Sequence, residues 1–373
     1  MSSSLPTLPT SRVSAKQWVG HRVREVGVHV GRLAQPKRAK SIVFFPYTGR
    51  WVCGSVNLRV HELCTELRAL GWRTTIAPAQ LELVQRQRIL DAEKPSVVVL
   101  QKGRHPLNWP HFHLTNAVKV FDIDDADYAN PKAIEQCKAC CEGCDLVFAG
   151  SENVAAWCRQ FAKEVHTVWT PHPIAPARPT PPPRDRAPLL AWAQSGSMAY
   201  RNEARIVQGI VLATHDRFAD FSFEVFGADD PAKAEEFIAP LRAAGVGCRA
   251  HPYMKYPAFL RELSRAAVGL HVISPDSAFS QGKSFGKVLA YLAADVAVVS
   301  SNVHENPRFF RSGISGELCD HTEQFADACA ALLRDPTKRQ AMADAAHADF
   351  AAKLSTRAVA AQVDTILTTH RRV

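Results

Sequence analysis

The chain has 373 residues, more than one hydrophobic core usually serves, so two domains are the expectation. Hydrophobic residues make up 46% and charged residues 22%, which excludes a disordered chain, and no run of about 18 apolar residues is present to span a bilayer as a helix. The net charge is +9, and it is unevenly placed: residues 1–178 hold 23 Lys/Arg against 15 Asp/Glu, whereas residues 179–373 hold 22 against 21.

Residues 1–40 form a basic N-terminal segment, with Arg12, Lys16, Arg22, Arg24, Arg32, Lys37, Arg38 and Lys40 against Glu25. Such asymmetry points to an anionic partner, either a membrane leaflet, an anionic acceptor or nucleic acid. A solvated basic tail accounts for the same charge, and the Ser/Arg-rich, acid-poor composition also fits a transit peptide. Ten cysteines without a secretory apolar region suit reduced thiols. The expected location is therefore cytoplasmic, with peripheral contact at the inner membrane face.

From residue 41 short apolar runs alternate with amphipathic stretches. "SIVFFP" (41–46), "RTTIAP", "SVVVLQ" (96–101), "KVFDID" (119–124), "DLVFAG" (145–150) and "HTVWTP" (166–171) read as strands. "VNLRVHELCTELRALG" (56–71) has helical spacing. Cys137, Cys140, Cys141 and Cys144 fall at i, i+3, i+4 and i+7, one face of a helix. Four thiolates on one short helix surround a tetrahedral ion poorly, so a small-residue packing face is expected there.

The stretch "PHPIAPARPTPPPRDRAP" (171–188) is dense in proline and aperiodic, which denies helix and central strand alike. Strands then resume at "PLLAWAQ" (188–194), "FSFEVFG" (221–227), "GCRAHPY" (247–253), "AVGLHVIS" (267–274), "VAVVSS" (296–301) and "GELCD" (316–320), with helices between them and three more at the end. Continuous apolar strands alternating with helices predict parallel sheets covered on both faces, in two Rossmann-like domains. The boundaries expected are 41–178 for the first domain, 179–187 for the linker, 188–353 for the second domain, and 354–373 for a C-terminal helix crossing back to the first. Two such sheets are expected to face a central cleft, with ligand at the C-terminal strand ends.

The second domain holds "SAFSQGKSFGKVLAYLAADVAVVSS" (277–301). Gly282-Lys283-Ser284 is the tail of a phosphate-binding loop, but the first glycine that a P-loop needs is Ser277 here. A phosphate feature remains. A helix starting near Ser284, capped by its hydroxyl, would present free amides, with Lys283 and Lys287 on one face over its positive end.

This stretch, in the pattern Lys283-Ser284, Lys287-Val-Leu-x-Tyr-Leu-Ala and "VAVVSS", resembles the donor-binding segment of GT-B glycosyltransferases, in particular the family 4-like group. The resemblance runs from about residue 41 to 360. It continues through "RFFRSGISGELCD" (308–320) and "FADACAALLRDPTKRQAMADAA" (325–346), and in the first domain through "GSVNLRVHELCTELRALGW", "VFDIDDADYANP" (120–131) and "DLVFAGSENVAAWC" (145–158). It implies transfer of a sugar from a nucleotide-diphosphate sugar to an acceptor hydroxyl, with retention of configuration and no required cofactor or metal. The expected acceptor is a glycan or a lipid-linked or anionic molecule. Two alternatives stand beside it: a DNA-modifying glycosyltransferase, and a non-catalytic relative that binds a nucleotide sugar or glycan. The last is prompted by Ala290, which stands where the family usually has a ribose-binding glutamate, and Asp295 replaces its usual glycine.

Donor-binding positions implied are Gly196, Ser197, Arg201, Lys283, Ser284, Lys287 and Tyr291, with Arg205 competing for the role of Arg201. A guanidinium suits phosphate because its fork binds two oxygens. In the first domain Asp122 and Asp124, at the end of a strand, are candidates to orient or deprotonate the acceptor, as is His105. The D-x-D also fits a metal site or a simple turn, and the two-domain plan disfavours the metal. Gly54, Ser55 and Arg59 at the first strand-to-helix junction, with Lys102, Arg104 and Trp109 in "QKGRHPLNW", are the acceptor-side candidates.

Overall fold

The computed structural model describes residues 14–36, 39–50, 54–175, 177–274, 281–282 and 285–370. The chain divides into two compact units, Met1–Trp169 with Ala360–Val373, and Thr170–Val359. Among the described residues no helix is long and apolar enough to cross a membrane.

The first unit is built on a six-stranded sheet of order β2-β1-β3-β4-β5-β6, parallel throughout. Its strands are β1 (Ser41–Phe45), β2 (Arg73–Ile76), β3 (Val97–Gln101), β4 (Val118–Ile123), β5 (Leu146–Ala149) and β6 (Val165–Thr167). β1, β3 and β5 are buried at every position, so their sequence is apolar rather than alternating. Helix α1 (Ala15–Leu33) and helix α2 (Leu83–Glu93) pack against each other beside this sheet. Helix α3 (Ile134–Gly143) carries Cys137, Cys140 and Cys141, which with Cys144 are buried in the unit's core, and burial pushes the thiols of Cys137, Cys140 and Cys144 up.

The expected helix over 56–71 differs in one respect. A turn of α-helix at Gly54–Val56 widens into a π-helical segment, Asn57–Glu62, before α-helix resumes at Leu63–Ala69. The widened turn carries Arg59, whose role is described below.

The second unit repeats the architecture with a sheet of order β12-β11-β10-β7-β8-β9, again parallel throughout. Its strands are β7 (Leu189–Ala193), β8 (Ser222–Phe226), β9 (Gly247–His251), β10 (Val268–His271), β11 (Ala297–Ser301) and β12 (Glu317–Cys319). Helix α4 (Arg201–Arg217) follows β7, helix α5 (Gly286–Ala293) precedes β11, and helix α6 (Thr356–His370) ends the described chain. The proline-rich stretch belongs to this unit, and its end is packed. Arg186 is buried and donates to the carbonyls of Ala266, Ala294 and Asp295 at 2.9–3.0 Å, and buried Arg339 donates to Pro183 O at 2.9 Å.

In each sheet strand order reverses at one point, between β1 and β3 and between β7 and β10. Open α/β sheets leave a crevice at the carboxyl ends of the strands there. In both units a buried side chain bridges the parting strands. Asn108 donates its amide to Phe45 O (3.1 Å) and Gln101 O (2.8 Å). The Tyr291 hydroxyl donates to Leu270 O and accepts from Ala193 N–H, each at 2.8 Å.

Candidate functional site

At the carboxyl ends of the first unit's strands lies a chain of buried ion pairs. Arg59 spans Asp122 at the end of β4, with Nε 3.1 Å from both carboxylate oxygens, and its Nη1 donates to Val168 O at 2.7 Å. Burial alone would lower the Arg59 pKa, but Asp122 outweighs it and holds the guanidinium charged. Lys102, in the left-handed region at φ 60°, places its ammonium 2.8 Å from Asp124 and 3.0 Å from Asp125. Burial works against that charge too, and the two carboxylates reverse it. Arg104 pairs with Asp127, whose carboxyl burial raises to about 6. Gly150 is required by this packing, since a Cβ there would lie 2.4 Å from Asp124 O.

The sequence candidates therefore meet, but mostly each other: Asp122, Asp124, Arg59 and Lys102 are at most 5% exposed and already paired. His105 is held in the Asn108 bridge. Its Nδ1 accepts from Leu107 N–H at 3.1 Å and its Nε2 lies 3.0 Å from Ala79 O. Burial, then the neighbouring Arg86 guanidinium, lower its pKa to about 4, so it is neutral near pH 7. Fully buried Arg86 donates to Leu81 O, Ala79 O and Asn108 Oδ1. Gly54 and Arg104 are exposed; Ser55 and Trp109 are partly so, with Trp109 edge-on to His111 at 5.8 Å.

In the second unit a pocket of about 160 Å³ opens at the carboxyl ends of β7 and β8 and beyond β9. Its walls are Ala193-Gln194-Ser195, Phe226-Gly227, an aromatic run including Tyr253, Tyr256 and Phe259, and the first turn of α5 with Gly286, Lys287 and Ala290. α5 begins at Gly286 with Phe285 as its N-cap residue; Lys283, Ser284 and Ser277 lie outside the described residues. Lys287 is thus the second residue of an eight-residue helix whose amino end faces the pocket wall. Ala290 presents an apolar surface there.

Gly196 sits at φ 62° in open space, a conformation that suits glycine, and Gly227 at φ 81° brings its Cα against Gln194 O, where a Cβ would lie at 2.1 Å. Ser197 donates its backbone N–H to Gly227 O at 2.9 Å, and its buried hydroxyl has no hydrogen-bond partner among the described residues. Arg201 is the exposed first residue of α4, and Arg205, one turn on, is exposed as well. Tyr291 is fully buried, so its hydroxyl serves the β7–β10 bridge rather than the pocket. Asp295 holds the left-handed φ of 53° that glycine would favour and is paired with Arg178 (2.5 Å) and His347 (3.2 Å).

Sequence reasoning missed the aromatic wall. Its signal was present in "HPYMKYPAF" just after β9, two tyrosines and a phenylalanine following a strand end. Tyr253 stands 68% exposed, and the Tyr256 hydroxyl donates to His172 Nε2 at 2.6 Å.

Two parallel six-stranded sheets of this order are the fold of GT-B glycosyltransferases. The sucrose-phosphate synthase of Thermosynechococcus elongatus is similar over 89% of this chain and 99% of its own, at 13% identity and TM-score 0.65. Anabaena HepE, solved with UDP and glucose, is similar over 88% and 100%, at 11% identity and TM-score 0.63. A lipopolysaccharide outer core galactosyltransferase, WaaB, matches over 88% and 99%, at 13% identity and TM-score 0.60. No curated protein sequence matches the chain. Residues 205–365 match the model of a glycosyl transferase-like family. The chain has the GT-B fold, and its residues 205–365 are similar to the glycosyl transferase-like family.

Proposed function

We propose that the protein moves a sugar from a nucleotide-diphosphate sugar to an acceptor hydroxyl, with the donor in the second unit's pocket. One observation carries this: Lys287 and the amino end of α5 stand on the wall of a pocket at the carboxyl ends of β7 and β8, with β7 also flanking the point where the strand order reverses. A helix N-terminus and an ammonium group together favour a diphosphate. The UDP bound in HepE supports the same class of donor.

In the proposed reaction the acceptor oxygen attacks the anomeric carbon while the bond to the diphosphate breaks. Negative charge grows on the leaving group, so fixed cations there lower the barrier most. Lys287 and Arg201 take that role, joined by Lys283. With Asp122 and Asp124 already paired to Arg59 and Lys102, the donor's own phosphate oxygen is the better base, which suits the retention implied by the family 4-like resemblance. Gly54, Ser55, Arg104 and Trp109 remain the acceptor-side candidates, with a glycan or lipid-linked acceptor.

Calorimetric titration with UDP, GDP and CDP tests this reading. At least one is expected to bind, and at a hundred times its Kd to stabilise the fold by about 2.7 kcal/mol. Lys287→Ala is expected to weaken that affinity at least tenfold, with the ligand-free melting temperature unchanged. Unchanged affinity would overturn the assignment.

A further inference from the structure

The basic N-terminal segment contains α1, and the helix is two-faced. Ser14 caps it, accepting from Gln17 N–H while the Gln17 side chain accepts from Ser14 N–H. One face is used within the chain: His21 and Glu25 are buried, Val28 packs on the core, and Arg32 donates to Ala92 O at 2.6 Å. The opposite face is exposed, with Trp18 at its margin under the Arg22 guanidinium, 5.4 Å from the ring centroid. Trp18, Val19, Val23, Val26, Val30 and Leu33 are 53–76% exposed, and the last five follow one another at spacings of four, three, four and three. That spacing lines them along one side of a helix of 3.6 residues per turn.

A monomer in water rarely exposes so continuous an apolar stripe. The charge around it selects the partner. Lys16, Arg22, Arg24 and Arg32 face one acid in the helix, Glu25, which is buried and shared between Arg22 (3.0 Å) and Arg88 (3.5 Å). Lys16 lies three residues before Val19 and Arg22 three after it, so they border the two edges of the stripe. A second copy would bring two basic helices together with no acid on the exposed face to pair them. An anionic surface complements the same arrangement.

We propose that α1 is a membrane-surface helix that docks on an anionic bilayer. The valines and Leu33 enter the boundary between headgroups and acyl chains, Trp18 sits at the headgroup level, and Lys16 and Arg22, on the stripe's two borders, contact the anionic lipids. This stands independently of the donor reading, since it concerns the other unit and a different ligand.

Co-sedimentation of the full chain with phosphatidylcholine vesicles, with and without a quarter of phosphatidylglycerol, tests it. Binding is expected on the anionic vesicles, at least about fivefold stronger than on neutral ones and weakened by salt. The exposed pair Val26→Asp/Val30→Asp is expected to cut it at least about tenfold, and Lys16→Gln/Arg22→Gln by a similar factor, with nucleotide affinity unchanged in both. The charge pair keeps the proposal testable should the valine pair fail to fold. Absence of binding, equal binding to both vesicle types, or binding blind to both pairs would overturn it. A dimer in gel filtration that Val26→Asp abolishes would assign the stripe to a second copy instead.

Discussion

Tyr291 and Leu270 are joined by a hydrogen bond of 2.8 Å from hydroxyl to carbonyl, at the point where β10 and β7 part. Tyr291 also accepts from Ala193 N–H, so one side chain closes both strand ends behind the pocket wall. Tyr291→Phe removes the hydroxyl and strands a buried donor and a buried acceptor. The expected cost is about 1–3 kcal/mol in urea unfolding. Nucleotide affinity is expected to change little, because the hydroxyl faces the sheet.

Removing Arg59 leaves Asp122 buried beside no cation of its own. Arg59→Met is expected to destabilise the protein by about 3–5 kcal/mol, measured by denaturant titration. Arg59→Met with Asp122→Leu removes both charges and is expected to recover a large part of that loss. A double mutant no better than the single would show that the pair contributes little beyond its packing.

Gly227 combines φ 81° with the close carbonyl of Gln194. Gly227→Ala forces a side chain into the left-handed region, about 1–3 kcal/mol by itself, and against that oxygen. The expected result is a lower melting temperature together with weaker nucleotide binding, since Gln194 and Gly227 both line the pocket.

His113 is 1% exposed, stacked on Phe45 at 4.6 Å, with a pKa lowered to about 3 by burial and by Arg86. The unfolded chain takes up this proton near pH 6.5 and the folded one does not. Stability from His113 is therefore present above pH 6.5 and falls as the pH drops towards 3, by about 1.4 kcal/mol per pH unit. His113→Gln is expected to flatten the stability profile between pH 6 and 4 by close to one proton.

The sheets were legible because both their faces are covered. A strand such as β3 or β11 has no polar face, so "SVVVLQ" and "VAVVSS" announce themselves as apolar runs. The cysteine helix was legible for the same reason, its spacing marking a buried face. Less legible were side chains whose partners lie far off in sequence. Arg59 and Asp122 are 63 residues apart, and nothing local shows that the guanidinium is consumed by the carboxylate. Tyr291 follows the same logic. Its place on an apolar helix beside Lys287 suggested a ligand contact, but the helix turns that ring inward, where a Cβ on Gly269 would lie 2.5 Å from it. The exposed face of α1 was hidden within its charge, because counting lysines and arginines does not reveal valines at helical spacing.

The C-terminal helix α6 has a consequence for how the protein is made. It begins among residues of the second unit, and its later part completes the first. There Asp364 accepts from Lys40 Nζ and Trp72 Nε1, each at 2.8 Å, and Gln362 donates to Thr167 O at 3.0 Å. The first unit leaves the ribosome early but lacks this helix until the whole of the second unit has been made. The second unit is one continuous stretch and has all its parts sooner after its last residue emerges. The half begun first is thus completed only after the second has been made, by a helix that ties Lys40, Trp72 and Thr167 together.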